Sequence, residues 1–186
     1  MEVTPEVTPI ARIKVIGVGG GGCNAVNRMM RANVQGVDFI AVSTDAQALY
    51  HSGAPTKINI GKGTTRGLGA GSNPDAGRQS AEESSEEIKS TLEGADMVFI
   101  TCGLGGGTGT GGAPVVARIA RELGILTVGI VTVPFEFEGK SKRDKAANGL
   151  EELKENVDAI IVISNNKLKE IYGNLSLTDA FSQADN

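Results

Sequence analysis

The stretch Cys102-Gly-Leu-Gly-Gly-Gly-Thr-Gly-Thr-Gly-Gly112 follows the apolar run at residues 97–100, with only Thr101 between them. A glycine-rich turn between a strand and a helix lets backbone N–H groups converge on an anion, because no Cβ stands in the way. The chain carries a second stretch of this kind, Gly17-Val-Gly-Gly-Gly-Gly22, after the apolar run at residues 13–16. Two phosphate-type loops on two strands of one sheet indicate a nucleotide that is held from two sides.

The composition is that of an ordinary globular domain. The 186 residues are 40% hydrophobic and 22% charged, and the net charge of -4 argues against a nucleic-acid partner. No apolar run is long enough for a membrane helix, so we expect no direct membrane insertion. Two cysteines and the absence of a signal-peptide pattern favour a cytoplasmic location, and a single histidine argues against a zinc site.

Apolar runs alternate with helical patterns from residue 10 onward. Most of the strand candidates are nearly continuous Val/Ile runs, typical of parallel strands buried on both faces. The candidates lie at residues 12–18, 39–43, 57–60, 97–101, 126–133 and 159–164. Helical patterns follow at residues 21–32, 78–93, 111–123, 140–156, 166–172 and from 177 onward. This order predicts an α/β fold with a doubly wound, mostly parallel, six-stranded Rossmann-like sheet and helices on both faces.

The two ends of the chain differ in character. Residues 1–9 lack periodicity and contain two prolines, which predicts a flexible tail. Near the other end, Leu177, Ala180, Phe181 and Ala184 are spaced as one helix face, and no capping signal follows them. We therefore expect residues 10–186 to be a single domain that is cut within this last helix.

The first glycine loop fits two kinds of nucleotide protein. Its pattern Gly17-x-Gly19-x-x-Gly22, with Asp45 further on, matches the dinucleotide fingerprint of an NAD-linked oxidoreductase. A tight strand–helix turn without a ligand would also satisfy it, and no Walker A pattern is present. The loop at 103–112 favours a third hypothesis, because an NAD domain needs no second glycine turn whereas a nucleoside triphosphate has three phosphates to neutralise.

The segment Gly105-Gly-Gly-Thr-Gly-Thr-Gly111 resembles the signature of the tubulin/FtsZ family of GTPases, [Ser/Ala/Gly]-Gly-Gly-Thr-Gly-[Ser/Ala/Thr]-Gly. Further loops resemble those of the family in sequential order, and the likeness is closer to bacterial FtsZ than to tubulin. They are Gly17–Asn27, Ser43–Gln47, the γ-phosphate loop Thr65–Pro74, the ribose loop Pro134–Gly139, and the guanine-pocket segments Asn165–Leu168 and Phe181–Asp185.

This resemblance implies a GTP site. Backbone amides of the first loop would hold the α- and β-phosphates, those of the second loop the β- and γ-phosphates, and the loop at 61–77 would order with GTP. The implied nucleotide-binding residues are Gly20, Gly21, Gly22, Cys23, Asn24, Ala70, Gly71, Gly105, Gly106, Gly107, Thr108, Gly109, Glu138, Lys142, Asn165, Phe181 and Asp185. Mg²⁺ would be held through the phosphates and water.

Several of these residues also have simpler explanations. Glu138 could be a solvated carboxylate, Phe181 a core anchor and the loop at 61–77 an ordinary flexible loop. Lys142 stands where the family usually has arginine, and lysine lacks the guanidinium fork. Cys23 and Cys102 border the phosphate loops, either as small reduced residues or as redox-sensitive ones. The basic run at 140–145 fits a solvated helix face better than phosphate steering.

The resemblance implies an activity that this chain completes only in part. The family's catalytic carboxylates lie in a Gly-x-x-Asn-x-Asp-x-x-Asp pattern that is absent from residues 1–186, so we expect no catalytic residue here. The full protein would polymerise head to tail, hydrolyse GTP at each junction, form the bacterial division ring at mid-cell and reach membrane tethers through a C-terminal tail. The chain alone would bind GTP with little turnover, or would act as a nucleotide-regulated binding module.

Overall fold

Six strands form one sheet in which every pairing is parallel. The computed structural model describes residues 10–167. The strands lie side by side in the order β3-β2-β1-β4-β5-β6, and their bounds are Ile13–Val18, Val37–Ser43, Thr56–Asn59, Met97–Gly103, Leu126–Val133 and Ala159–Ser164. The predicted doubly wound sheet is confirmed, and each predicted strand is present, β5 and β6 with the predicted ends and the other four with slightly shifted ends.

Helices cover both faces of the sheet. The α-helices α1 to α7 are Gly19–Arg31, Ala46–His51, Lys62–Thr65, Pro74–Glu83, Ser85–Leu92, Thr108–Glu122 and Lys140–Lys154, and a short 3-10 helix spans Glu136–Glu138. Alternate residues of each strand enter different cores: Ile16 and Val18 pack with α4 to α7, whereas Val15 packs with α1 and α2. This alternation is the period-two geometry of strands that are buried on both sides.

The prediction of one helix at 78–93 is wrong. The segment contains two helices, α4 and α5, which meet at Ser84, where the backbone leaves the helical region at φ -105° and ψ 18°. Helix α4 also begins earlier than predicted, because the Asn73 side chain accepts a hydrogen bond from Asp75 N at 3.0 Å and Pro74 suits the first turn.

Two other helices differ from expectation. Helix α6 begins at Thr108 instead of residue 111, so the last glycines of the loop lie inside its first turn. Helix α2 was not predicted, although Asp45 caps it by accepting from Gln47 N at 2.9 Å and Ala48 N at 3.0 Å. Residues 165–167 begin a helix, and the rest of the predicted helix at 166–172 lies outside the described residues, as does the pattern from 177 onward.

Between residues 10 and 167, no helix has both the length and the apolar character needed to cross a bilayer.

Candidate functional site

A cleft of about 460 Å³ lies at the carboxyl ends of the central strands β1, β4 and β5. Parallel α/β sheets bind their ligands at this edge. The cleft is lined by residues of both glycine loops, of β5 and of the segment that follows it: Gly20, Gly21, Asn24, Gly103, Leu104, Gly106, Gly107, Thr108, Gly109, Thr132, Pro134, Glu138, Lys142 and Asn165.

The two glycine loops touch through their backbones. Gly19 has φ +73°, and a Cβ built on it would lie 2.9 Å from Gly109 N. A Cβ on Gly109 would lie 2.7 Å from Gly103 O, and one on Gly21 would lie 3.1 Å from Gly103 N. Only glycine permits this approach, which brings the first turns of α1 and α6 to the same cleft. First-turn amides have no partner inside their own helix, so both helices offer N–H donors there.

Most residues of the predicted site meet in this cleft. Ten of the lining residues were predicted from the sequence, and they are Gly20, Gly21, Asn24, Gly106, Gly107, Thr108, Gly109, Glu138, Lys142 and Asn165. Predicted residues Phe181 and Asp185 lie outside the described part of the chain.

Gly22 and Cys23 do not line the cleft. A Cβ on Gly22 would lie 2.3 Å from Thr101 O, so this glycine serves the close packing of α1 on β4. The Cys23 thiol points into the core beneath α1, where its Sγ lies 3.8 Å from Gly17 O and 3.7 Å from Val42 O. Burial raises the pKa of Cys23 to about 11.

Cys102 lies in the other core. Burial raises the pKa of this thiol to about 12. Both cysteines are therefore neutral thiols at pH 7, and the sheet separates their two cores.

Ala70 and Gly71 belong to a loop that covers one end of the cleft without lining it. Ala70 is buried, and a Cβ on Gly107 would meet the Ala70 Cβ at 2.8 Å. Gly71 is exposed at φ +57° with open space around its Cβ position. The loop at 66–73 therefore packs directly on the second glycine loop and leaves its own tip in solvent.

Thr44, which was not predicted, connects this covering loop to the cleft. Its hydroxyl shares a hydrogen bond of 2.7 Å with the hydroxyl of Thr108. Its carbonyl accepts from Gly69 N at 3.2 Å and from the Thr65 hydroxyl at 3.3 Å. Thr44 is fully buried. This one buried residue therefore bonds both to a residue that lines the cleft and to the base of the covering loop. Its place directly after β2 was a sequence signal, since that is the carboxyl end of a strand.

Glu138 and Lys142 form an ion pair at the opposite side of the cleft. Lys142 Nζ lies 2.5 Å from Glu138 Oε2, and Glu138 Oε1 accepts from Phe135 N at 2.8 Å. The Glu138 side chain is only 10% exposed, so it is not a solvated carboxylate. The Lys142 stem lies over Gly105, where a Cβ would meet Lys142 Cγ at 2.7 Å. This explains why a glycine with φ +103° occupies a position that does not line the cleft.

Asn165 carries the unsatisfied polar atom of the site. The residue is 5% exposed, and its buried Oδ1 has no hydrogen-bond partner within residues 10–167. A buried acceptor with no partner costs free energy, which a donor on a bound ligand can recover. The atom without a partner is an acceptor, so the matching group on a ligand would be a hydrogen-bond donor.

Asp45 does not fit the role that an NAD-linked enzyme would give it. Its Oδ1 accepts two backbone N–H groups as the cap of α2, and it does not line the cleft. In residues 10–167, no group of three or more His, Cys, Asp or Glu side chains is placed to hold a metal ion.

Comparison with known proteins identifies the fold and the family. Residues 12–173 match the model of the tubulin/FtsZ family, GTPase domain. An FtsZ dimer from M. jannaschii, described as empty, is 52% identical with a TM-score of 0.93, over 97% of this chain and 52% of that one. A mutant FtsZ of M. jannaschii is also 52% identical, with a TM-score of 0.92 over 94% and 53% of the two chains.

A more distant relative has the same architecture. CetZ2 from Haloferax volcanii, in a GTPγS-bound protofilament, is 25% identical with a TM-score of 0.83, over 94% of this chain and 55% of that chain. The chain thus spans about half the length of these solved structures. The alternative of an NAD-linked oxidoreductase finds no support. With residues 12–173 matched and half of the residues identical to FtsZ, the chain belongs to the tubulin/FtsZ family and carries its GTPase domain.

Proposed function

We propose that this chain is the GTP-binding part of an FtsZ-like GTPase, and that alone it binds GTP and GDP with little turnover. The observation that carries the proposal is the cleft between two touching glycine loops, with the unpaired Asn165 Oδ1 at its edge. The glycine loops can donate backbone N–H groups to phosphates, and the side-chain amide of Asn165 can form a hydrogen bond with a base. The relative that holds GTPγS shares this fold.

The phosphates occupy the glycine loops in this proposal. First-turn amides of α1, at Gly20 and Gly21, and of α6, at Thr108 and Gly109, donate to phosphate oxygens. The Thr108 hydroxyl donates as well once Thr44 becomes the donor in their shared hydrogen bond. Gly106 has no atom within 4 Å of its Cβ position, which leaves room for a phosphate above it.

The ribose and base lie toward the other side of the cleft. Glu138 accepts from a ribose hydroxyl through remaining lone pairs of its carboxylate, and Lys142 holds that carboxylate in place. Asn165 Oδ1 accepts from an N–H of the base. The contacts of Phe181 and Asp185 with guanine belong to this proposal too.

Mg²⁺ enters the proposal only through the phosphates. The described residues hold no carboxylate cluster at the cleft, so phosphate oxygens and water would be its ligands. Its role would be to neutralise phosphate charge.

The whole protein would act as a filament. We propose head-to-tail assembly, since the M. jannaschii relative is a dimer and the CetZ2 relative a protofilament. Hydrolysis would occur at each junction, with catalytic carboxylates supplied from outside these 186 residues. Membrane tethers as partners, a cytoplasmic location and a place in the division ring at mid-cell complete the proposal.

Nucleotide-dependent thermal stabilisation of the 186-residue chain tests the binding proposal. A ligand at a hundredfold excess over its Kd stabilises by about 2.7 kcal/mol, so GTP and GDP with Mg²⁺ should raise the Tm by several degrees. ATP and NADH should not. Equal stabilisation by ATP would refute the guanine site, stabilisation by NADH would revive the dinucleotide hypothesis, and rapid phosphate release would contradict the expected low turnover.

A matched pair of variants tests the role of Asn165. Asn165→Leu removes the unpaired acceptor, so it should weaken GDP binding about tenfold while leaving the Tm of the ligand-free chain unchanged or higher. Asn156→Leu, just after the C-terminal end of α7, should lower the Tm by breaking its bond to Glu152 O and leave the GDP Kd unchanged. Unchanged GDP affinity in Asn165→Leu would exclude Asn165 as a ligand of the base.

A further inference from the structure

One face of α7 reaches both sides of the cleft. Lys142 and Lys145 are three residues apart and therefore neighbours on this helix. Lys142 holds Glu138 at the proposed ribose side. Lys145 Nζ donates a hydrogen bond of 2.8 Å to the carbonyl of Ser72, in the loop that packs on the second glycine loop.

The loop at 66–73 has a backbone that needs external support. Arg66 and Ser72 have φ angles of +53° and +58°, which side-chain-bearing residues rarely adopt. Gly67, Gly69 and Gly71 are also left-handed. Strained conformations persist only where surrounding contacts impose them.

Hydrogen bonds to different elements hold this loop at its two ends. At its beginning, Gly67 O accepts from Ala46 N at 3.0 Å and Gly69 N donates to Thr44 O at 3.2 Å. At its end, the strained Ser72 is the residue whose carbonyl binds Lys145. The beginning is thus tied to β2 and α2, and the end is tied to α7.

Helix α7 is a firm platform for this lysine. Gly149 lies so close to α6 that a Cβ would meet Thr110 Cγ2 at 2.4 Å. Arg78 of α4 binds both carboxylate oxygens of Glu152, at 2.7 and 2.6 Å. Helix α4 begins directly after the loop. Helix α7 is therefore bonded to α4 as well as to the loop itself.

The loop that Lys145 holds is in direct contact with the cleft. A Cβ on Gly107 would meet Ala70 Cβ at 2.8 Å and Asn73 N at 2.9 Å. A displacement of the loop end would therefore open the wall behind the second glycine loop, where the terminal phosphate lies in the proposed function.

We propose that Lys145 is a positioning residue for the terminal phosphate: by binding Ser72 O, it holds the loop at 66–73 closed against the second glycine loop. This inference rests on the proposed function, because the phosphate it concerns is that of GTP. Lys145 touches no nucleotide; it keeps the loop ordered before the nucleotide arrives. Its loss should therefore weaken binding of a triphosphate more than that of a diphosphate.

The test compares Lys145→Met with Lys145→Arg, and with Lys154→Met as control. Methionine keeps most of the stem and removes the donor, whereas arginine keeps a cationic donor. Lys154 is a lysine on the same helix that bonds Glu151 at 2.8 Å and does not line the cleft. Kd values for GTPγS and GDP, both with Mg²⁺, are measured by calorimetry on the 186-residue chain.

In Lys145→Met the GTPγS Kd should rise about threefold to fivefold, as for loss of an exposed charged hydrogen bond, with the GDP Kd nearly unchanged. Lys145→Arg should restore most of the difference, and Lys154→Met should match the wild type. Equal weakening of both nucleotides, or no change in either, would overturn the proposal.

Hydrogen exchange of the ligand-free chain tests the loop without any nucleotide. The Asn73 amide, which donates to Ala70 O at 3.0 Å, should exchange faster in Lys145→Met than in the wild type or in Lys154→Met. If the wild type binds neither nucleotide, the proposed function fails while this measurement still decides whether Lys145 holds the loop. If amide exchange across residues 66–73 is the same in Lys145→Met as in the wild type, Lys145 does not hold the loop, even where GTP binds.

Discussion

Glycines around the cleft meet two different physical requirements. Gly20 and Gly106 have no atom within 4 Å of their Cβ positions, so they keep space open for a ligand. At Gly22 and Gly107 a Cβ would lie 2.3 Å from Thr101 O and 2.8 Å from Ala70 Cβ, so these glycines let protein pack on protein. Substitution of the first kind should impair binding alone, whereas substitution of the second kind should impair the fold.

The two cysteines should make the free energy of unfolding depend on pH in the alkaline range. Burial raises the pKa of Cys23 from 9.0 to about 11 and that of Cys102 from 9.0 to about 12. Between these values the unfolded chain loses thiol protons that the folded chain keeps, so the free energy of unfolding should fall as pH rises above about 9. Below pH 9 the cysteines should contribute no pH dependence.

Urea unfolding at several pH values between 8 and about 11 measures this effect. The double variant Cys23→Ala/Cys102→Ala is the control, because its slope contains every titration except those of the thiols. Iodoacetamide should also alkylate neither cysteine in the folded wild type at pH 8. Rapid alkylation of the folded chain, or equal slopes in both proteins, would contradict the burial of these groups and reopen a redox role.

At the scale of elements, the close contact between α4 and α6 requires glycine at position 111. A Cβ on Gly111 would lie 1.8 Å from Pro74 O and 2.7 Å from Arg78 N, and these are backbone atoms that cannot move aside locally. Gly111→Ala should therefore lower the free energy of unfolding by at least about 2 kcal/mol. The neighbouring Gly112 has only ordinary contacts, the nearest being Val18 Cγ1 at 3.4 Å.

Gly112→Ala is the matched control for this prediction. It adds the same methyl group to the same helix, and alanine's better helix propensity should leave stability unchanged or raise it by up to about 1 kcal/mol. Urea unfolding midpoints of both variants give the comparison. If the two substitutions cost the same, the close packing of α4 on α6 is not what requires Gly111.

Local sequence signals predicted the elements that depend on neighbouring residues alone. They failed where contacts between distant segments determine the structure. The Val/Ile runs of β5 and β6 predicted these two strands with the correct ends, because an unbroken run of apolar and β-branched residues favours a strand. The break at Ser84 was not predictable from periodicity, since apolar residues continue on both sides of it. Cap signals at Asn73 and Asp45 were present in the sequence, and they define the starts of α4 and α2.

The whole sheet should show graded stability from its centre to its edges. Strands β1 and β4 have a partner on each side and are covered on both faces. Strand β6 is last in the sheet, and Ile161 and Val162 are 54% and 42% exposed. Hydrogen exchange should therefore be slowest in β1 and β4, which open only on global unfolding, and clearly faster in β3 and β6.

Exchange measured by NMR or mass spectrometry on the ligand-free chain checks this order. The helical residues of α6, which packs on the central strands, provide an internal reference for full protection. Protection of β6 equal to that of β1 would contradict this order.

The cleft as a whole was predictable because its parts begin at strand ends. A parallel sheet brings the carboxyl ends of its strands to one edge, so loops at 17–22 and 103–112 had to meet once β1 and β4 were neighbours. The contacts that Thr44, Lys145 and Gly105 make were not predictable in this way, although the position of Thr44 directly after β2 was a sequence signal. Each contact joins segments far apart in sequence, and no local pattern encodes such a contact.

The pairing of β1 has a consequence for how the chain is made. Ile13 pairs with Val37 on one side but with Met97 on the other. On the ribosome, β1, β2 and β3 emerge long before β4, and one edge of β1 stays unpaired during that interval. Gly19 and Gly109 can touch only after β4 has docked. A nascent chain therefore completes the contact between its two glycine loops in one late step, and until then the open edge of β1 can pair with other strands.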